Sequence, residues 1–184
     1  KHGGDERSML LEEAVSVAGL MSAGTAQNLV RVFLLQERLK SLGKGVDFQP
    51  QHVHVIGAGI MGGDIAAWCA FKGMTVTLQD REPKFIAPAI KRAHALFKKR
   101  LKVPHLVQAA KDRLIPDHKG LGVKNADVII EAIIENKQAK QELFSQIEPL
   151  LKPEAILASN TSSIPLDELS ETLKEPDRLV GIHF

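Results

Sequence analysis

The residues in this chain best suited to chemistry fall into a few short groups. Gly57-x-Gly59-x-x-Gly62 follows a β-branched run, Val53 to Ile56, and precedes an Ala-rich run, Ile65 to Phe71. Strand, glycine turn and helix in that order form a cradle for phosphates. Gly57 permits the tight turn, Gly59 lets backbone approach a pyrophosphate, and Gly62 allows close helix packing. The helix N-terminus adds free N–H groups and a positive dipole end. Asp80 closes the next β-branched run, Met74 to Leu78, where an acceptor for ribose hydroxyls is expected. An isolated glycine triplet often marks an ordinary turn, and an isolated Asp often ends a strand. Together, on a βαβ unit, they predict dinucleotide binding. Asp64 places a carboxylate one turn into the same helix, which suits the dipole but opposes a bound anion.

His183 directly follows the last apolar run, Leu179 to Ile182. A neutral imidazole there can take the proton of a substrate hydroxyl while hydride leaves the same carbon. Ser159-Asn-Thr-Ser-Ser163 is a turn and helix cap on its face, but at a strand's carboxyl end its hydroxyls can orient a cofactor and a substrate oxygen. His52 and His54 share one face of a strand; no third ligand accompanies them, so no metal site is predicted. These two and His2, His94, His105 and His118 read as ordinary histidines.

The segment Pro83 to Val103 carries seven Lys or Arg residues and no acid. Ile86, Ile90, Phe97 and Leu101 give it a helical apolar stripe, with Pro88 placed in the first turn. Lys91, Lys98 and Lys102 share a flank that is either a solvated face or a docking surface for a phosphate-rich substrate tail. Nucleic acid is not expected, because no aromatic residues interleave with the bases.

These groups need elements to position them. After the βαβ unit, the pattern predicts a returning helix at Pro104–Ala110 and strands at Arg113–Ile115, Ala126–Ala132, Ala155–Ala158 and Leu179–Ile182. A helix with Leu143, Phe144, Ile147 and Leu150 as its buried stripe, and a short one from Leu166 to Leu173, separate them. Strands alternating with helices predict an α/β fold, a Rossmann-type doubly wound parallel sheet. Ahead of it, Met9–Met21 and Thr25–Leu42 read as helices broken at Ser22-Ala-Gly24. The stripe Leu29, Val32, Phe33, Leu39 and Leu42 must bury against this chain's own sheet or a neighbouring domain. Residues 1–50 are therefore read as a helical connector and 51–184 as the dinucleotide-binding domain.

Composition sets outer limits. With 184 residues, 44% hydrophobic and 25% charged, the chain has ordinary globular content, and a net charge of +2 argues for no polyanion. The lone Cys69 allows no disulfide framework. No secretory signal or membrane-spanning run is visible, and the expected location is the cytoplasm. A chain beginning with Lys1 reads as a fragment or a processed product.

Val55-Ile-Gly-Ala-Gly-Ile-Met-Gly62, Glu131-Ala-Ile-Ile-Glu-Asn136, Ala158-Ser-Asn-Thr-Ser-Ser163 and Gly181-Ile-His-Phe184 together resemble the NAD domain of 3-hydroxyacyl-CoA dehydrogenases. Gln27 to Arg38 resembles the connector of bacterial multifunctional fatty-acid-oxidation proteins, in which an enoyl-CoA hydratase half comes first. The resemblance implies oxidation of 3-hydroxyacyl-CoA to 3-oxoacyl-CoA with NAD, and a thiolase subunit as partner. By motif, it places Met61 on the phosphate loop, Asp80 on the adenine ribose, and Ile133, Ile134, Glu135 and Lys140 against the cofactor. Ser162 contacts cofactor and substrate, His183 is the base, and the basic helix faces the CoA phosphates. The family's histidine works with a glutamate further along. The present stretch is therefore expected to bind NAD yet turn over extremely slowly or not at all. Two other readings stand beside this one. One is a dehydrogenase of the 3-hydroxyisobutyrate or 6-phosphogluconate type; the other is a dinucleotide-binding module without catalysis.

Overall fold

A computed structural model of the chain describes residues 5–184, and within it the chain divides into two compact units, one ending at Phe48 and one spanning Gln49–Phe184. The first unit is a pair of helices, α1 (Glu6–Ser22) and α2 (Gly24–Leu42). Asp5 caps α1 by accepting from the Arg7 amide, and extended Ala23 separates the two helices. The predicted break is therefore found, and within this pair neither helix buries a residue. Leu29, Phe33, Leu39 and Leu42 are all exposed. A helical apolar stripe specifies which face seeks a partner and says nothing about the partner.

The second unit holds one parallel sheet in the order β3-β2-β1-β4-β5-β6. Its strands are β1 (His52–Ile56), β2 (Thr75–Gln79), β3 (Leu114–Pro116), β4 (Val128–Glu131), β5 (Ile156–Ser159) and β6 (Leu179–Gly181). Each lies within about a residue or two of its predicted place. Helices α3 (Ile60–Phe71), α4 (Pro83–Arg100) and α5 (Pro104–Arg113) are followed by α6 (Lys137–Ile147) and α7 (Leu166–Ser170). Gly73, at φ +107°, lets the chain leave α3 for β2.

Two apolar cores sandwich the sheet. Val53, Val55, Val76 and Leu78 meet Ala66, Ala70, Ile86 and Phe97 in one cluster. Ile56, Ile129 and Leu157 meet Phe144, Ile147 and Leu169 in the other. The strand order reverses between β1 and β4, so a crevice opens at their carboxyl ends, where such sheets bind ligands.

Two helix details differ from expectation. α4 begins at Pro83, so Pro88 lies inside it and not in its first turn, and the N–H that would bond the Lys84 carbonyl is absent. Leu150 is 53% exposed, because α6 stops at Ile147 and a short 3-10 turn, Glu148–Leu150, swings it outward. Among the described residues, no helix is long and apolar enough to cross a membrane.

Candidate cofactor and catalytic site

The glycine turn is built by close backbone approach. Gly57 has φ +105°, and a Cβ on it would collide with the Ala132 carbonyl at the end of β4. A Cβ on Gly62 would collide with the Gly57 carbonyl, which seats α3 directly on the turn. Gly59 is different: the space around its Cβ position is open. It caps α3 with no side-chain hydrogen bond, so the first-turn amides remain available to an anion. Asp80 faces this turn. Its Oδ2 accepts from the Ala58 amide at 2.8 Å and its Oδ1 from the Arg81 amide at 2.7 Å, which fixes the carboxylate and leaves lone pairs for ribose hydroxyls.

The crevice beside the turn has a volume of about 510 Å³, and its walls include Gly57, Gly59, Asp80, Ile133 and Ile134. Met61 is half exposed on the first turn of α3, outside that wall. The Asp64 carboxylate is turned toward Arg92 of α4 at 3.4 Å, and Arg92 Nη2 donates to the Gly59 carbonyl at 2.9 Å. The charge that opposed an anion is thus paired with a guanidinium that also reaches the turn.

A polar cluster lies under the other side of the crevice. Glu131, at the end of β4, is fully buried. It accepts from Lys140 Nζ and Ser159 Oγ, each at 2.6 Å, and from the Ile133 amide at 2.8 Å. Lys140 is also fully buried, with Glu135 Oε2 3.4 Å from its ammonium. Lys140, expected against the cofactor, has its ammonium held between these two carboxylates. The deciding group, Glu131, was part of a sequence motif but received no role. An acid ending an apolar strand is the signal that could have found it.

Glu135 ties the cluster to the Ser-rich loop. Its Oε1 accepts from the Thr161 hydroxyl at 2.6 Å, from the Ser162 and Ser163 amides at 3.0 Å, and from the Ser163 hydroxyl at 3.1 Å. Burial pushes this carboxyl upward, but the donors outweigh burial and hold it at about 2. The Ser162 hydroxyl has no partner among the described residues, and Asn160 Oδ1 is buried without a donor among them. The loop therefore presents one free hydroxyl and one orphaned acceptor.

Ser162 and His183 share a cavity of about 320 Å³ walled by Thr161–Ser163 and Gly181–His183. Pairing of β6 with β5 sets this meeting, with Ser159 opposite Gly181. The basic helix contributes a larger groove, about 700 Å³, whose lining includes Ile90, Lys91, His94, Lys98, Pro116 and His118. Lys102 is not part of it, because α4 ends at Arg100. His118, read as an ordinary histidine, lines both this groove and the crevice.

The residues present fit NAD: a glycine cradle that side chains would fill, amides at a helix start, and a fixed carboxylate across from them. Comparisons with known proteins agree. The model of the 3-hydroxyacyl-CoA dehydrogenase NAD binding domain matches residues 52–184. A fatty acid oxidation complex subunit alpha from Pseudomonas entomophila is 35% identical over 179 residues, covering 94% of this chain and 25% of that protein. The chain thus spans about a quarter of that relative's length. The crystal structure of 3-hydroxybutyryl-CoA dehydrogenase from Escherichia coli K12 superposes with a TM-score of 0.71 at 33% identity, over 74% of this chain and 30% of that one. The dehydrogenase part of multifunctional enzyme 1 from C. elegans gives 0.66 at 31%, over 74% and 32%. With a family model matched along the whole sheet and the motifs gathered at its carboxyl edge, the chain belongs to the 3-hydroxyacyl-CoA dehydrogenase family and carries that family's NAD binding domain.

Proposed function

We propose that this chain is the cofactor-binding part of an L-3-hydroxyacyl-CoA dehydrogenase that oxidises 3-hydroxyacyl-CoA to 3-oxoacyl-CoA. One observation carries the reading: Ser162 and His183 wall one cavity at the same carboxyl edge of the sheet that holds the glycine cradle and Asp80. The first-turn amides of α3 at Met61 and Gly62 hold the pyrophosphate, with Gly57 and Gly59 giving the room. Asp80 takes the adenosine-ribose hydroxyls, and Ile133 and Ile134 cover the cofactor's apolar surface. Glu135 and Lys140 act from below, fixing the loop that presents Ser162. NAD held by these residues would supply the hydride acceptor.

Ser162 Oγ donates to the substrate oxygen and sets its distance from the histidine. His183 in its neutral form takes the hydroxyl proton and holds it on the ring, so that C–H and O–H cleavage at the carbinol leave a carbonyl. Lys91 and Lys98 draw the CoA phosphates to the groove on α4. Residues 1–50 connect to a preceding hydratase-like domain, and a thiolase subunit in the cytoplasm takes up the product. The fatty acid oxidation complex subunit among the relatives supports membership of such an assembly. The test is His183→Ala in the longer protein that contains this stretch. NADH formation from L-3-hydroxyacyl-CoA should fall by about 10²–10⁴-fold, the usual contribution of a positioned base, while NAD affinity stays. Retained turnover would overturn the assignment.

A further inference from the structure

His52 and His54 project from one face of β1, and Thr77 and Gln79 from the matching face of β2, with His54 opposite Thr77 in register. His54 is fully buried in a sheet interior that is otherwise mostly apolar. Its Nε2 lies 2.8 Å from Gln79 Oε1 and its Nδ1 2.7 Å from Thr77 Oγ1. His52 Nε2 lies 2.8 Å from that same Thr77 oxygen. With Gln79 Oε1 as acceptor, His54 Nε2 carries the proton. His54 Nδ1 then accepts from the Thr77 hydroxyl, which accepts from His52. Burial pushes the His54 imidazole below its ordinary value, against the Gln79 bond and the Asp117 charge, so the ring stays neutral with one N–H to give.

The loop after β3 closes over this chain of bonds. Asp117 accepts from the Leu121 and Gly122 amides at 3.0 and 2.6 Å. A Cβ on Gly122 would collide with Thr77, and one on Gly120 would lie 2.8 Å from Gln79 Nε2. Gln79 is therefore held from below by His54 and from the side by Gly120. Its Nε2 has no acceptor among the described residues, and the residue stands in the crevice wall beside Asp80.

We propose that Gln79 is a specificity-determining residue of the nucleotide site. Its carboxamide N–H, aimed by the His52–Thr77–His54 chain, donates to an adenosine-ribose oxygen of the dinucleotide while Asp80 accepts from that ribose. The proposal rests on the reading of the crevice as an NAD site. A carboxylate alone can engage only the hydrogens of a vicinal diol. A donor next to it engages the oxygen lone pairs as well, so the two residues together recognise an intact diol.

The test is calorimetric titration of the full chain with NAD and with NAD built on 2′-deoxy- and 3′-deoxyadenosine, for wild type, Gln79→Leu and Gln79→Glu. Gln79→Glu keeps an acceptor for His54, so the fold survives even if the leucine variant does not, but it replaces the outward donor with an acceptor. Wild type should prefer NAD to at least one deoxy analogue. Gln79→Glu should lose about three- to tenfold in NAD affinity, the range of one hydrogen bond, and that preference should shrink. Gln79→Leu, where folded by circular dichroism, should do the same. Thr77→Val should move the same ratio by a smaller amount, whereas a purely structural role would lower stability and leave the ratio alone. Normal NAD binding by wild type with an unchanged ratio in Gln79→Glu, or tighter NAD binding by that variant, would overturn this inference alone. No NAD binding by wild type would overturn the cofactor reading and this one together.

Discussion

Replacing Glu131 with glutamine removes one charge from a fully buried ion pair without changing its shape. The amide oxygen can keep facing Lys140 and the Ile133 N–H, now at 2.6 and 2.8 Å, while the amide nitrogen donates to Ser159, whose hydroxyl also accepts. What is lost is the charge. Lys140 is then left in the interior with Glu135 as its only carboxylate among the described residues, at 3.4 Å. Removing one partner of a buried pair costs about 3–5 kcal/mol, because the remaining ion has no water to return to. With a urea slope of about 2 kcal/mol/M for a domain of this size, that is a drop of roughly 1.5–2.5 M in midpoint. Urea unfolding followed by circular dichroism reads it directly. The double variant Glu131→Gln/Lys140→Met should recover part of the loss, with a coupling energy of at least about 1 kcal/mol in the double-mutant cycle. A loss under about 1 kcal/mol in Glu131→Gln, or strict additivity in the cycle, would refute the view that this pair is a buried, mutually dependent unit.

Two further outcomes follow from the same geometry. Glu135 has its carboxyl lowered from 4.5 to about 2, so its contribution to stability is complete above its unfolded value and is lost as pH falls through the folded one. Asp127, held at about 2 by Lys152 against burial and with help from the His52 and Gln51 amides, adds to the same window. Thermal midpoints should therefore fall between about pH 4.5 and 2, and Glu135→Gln should flatten that limb; an unchanged limb would contradict the assignment. Changing Lys91 and Lys98 to glutamine in the longer protein should weaken acyl-CoA binding more at low salt than at high salt and leave NAD affinity alone. An unchanged acyl-CoA affinity would return this groove to solvent.

Much of the sheet was legible because its strands are apolar runs between clear punctuation. Val53–Ile56 before the glycine turn and Gly73 after α3 fix a βαβ unit by local chemistry alone. The crevice residues followed, since the carboxyl ends of parallel strands converge once the order is known. What the sequence hid was the interior polar chemistry. The motif sets Lys140 against the cofactor, and nothing local in the sequence shows that Glu131 and Glu135 enclose its charge. His54 looked like an ordinary histidine, because the groups that face it, Thr77, Gln79 and Asp117, lie more than twenty residues away in the sequence. The first two helices show the opposite limit: their stripes are plain in the sequence, and the surface that would cover them is not encoded locally.

The central claim is that the edge between β1 and β4 is an NAD site built for a free ribose. The most direct measurement is titration of the 184-residue chain with NAD and with NADP under identical salt and pH. Asp80, fixed by the Ala58 and Arg81 amides, accepts ribose hydroxyls and repels a 2′-phosphate, so saturable NAD binding clearly tighter than NADP binding is the predicted result. No saturable NAD binding, or NADP bound as tightly or more tightly, would contradict it.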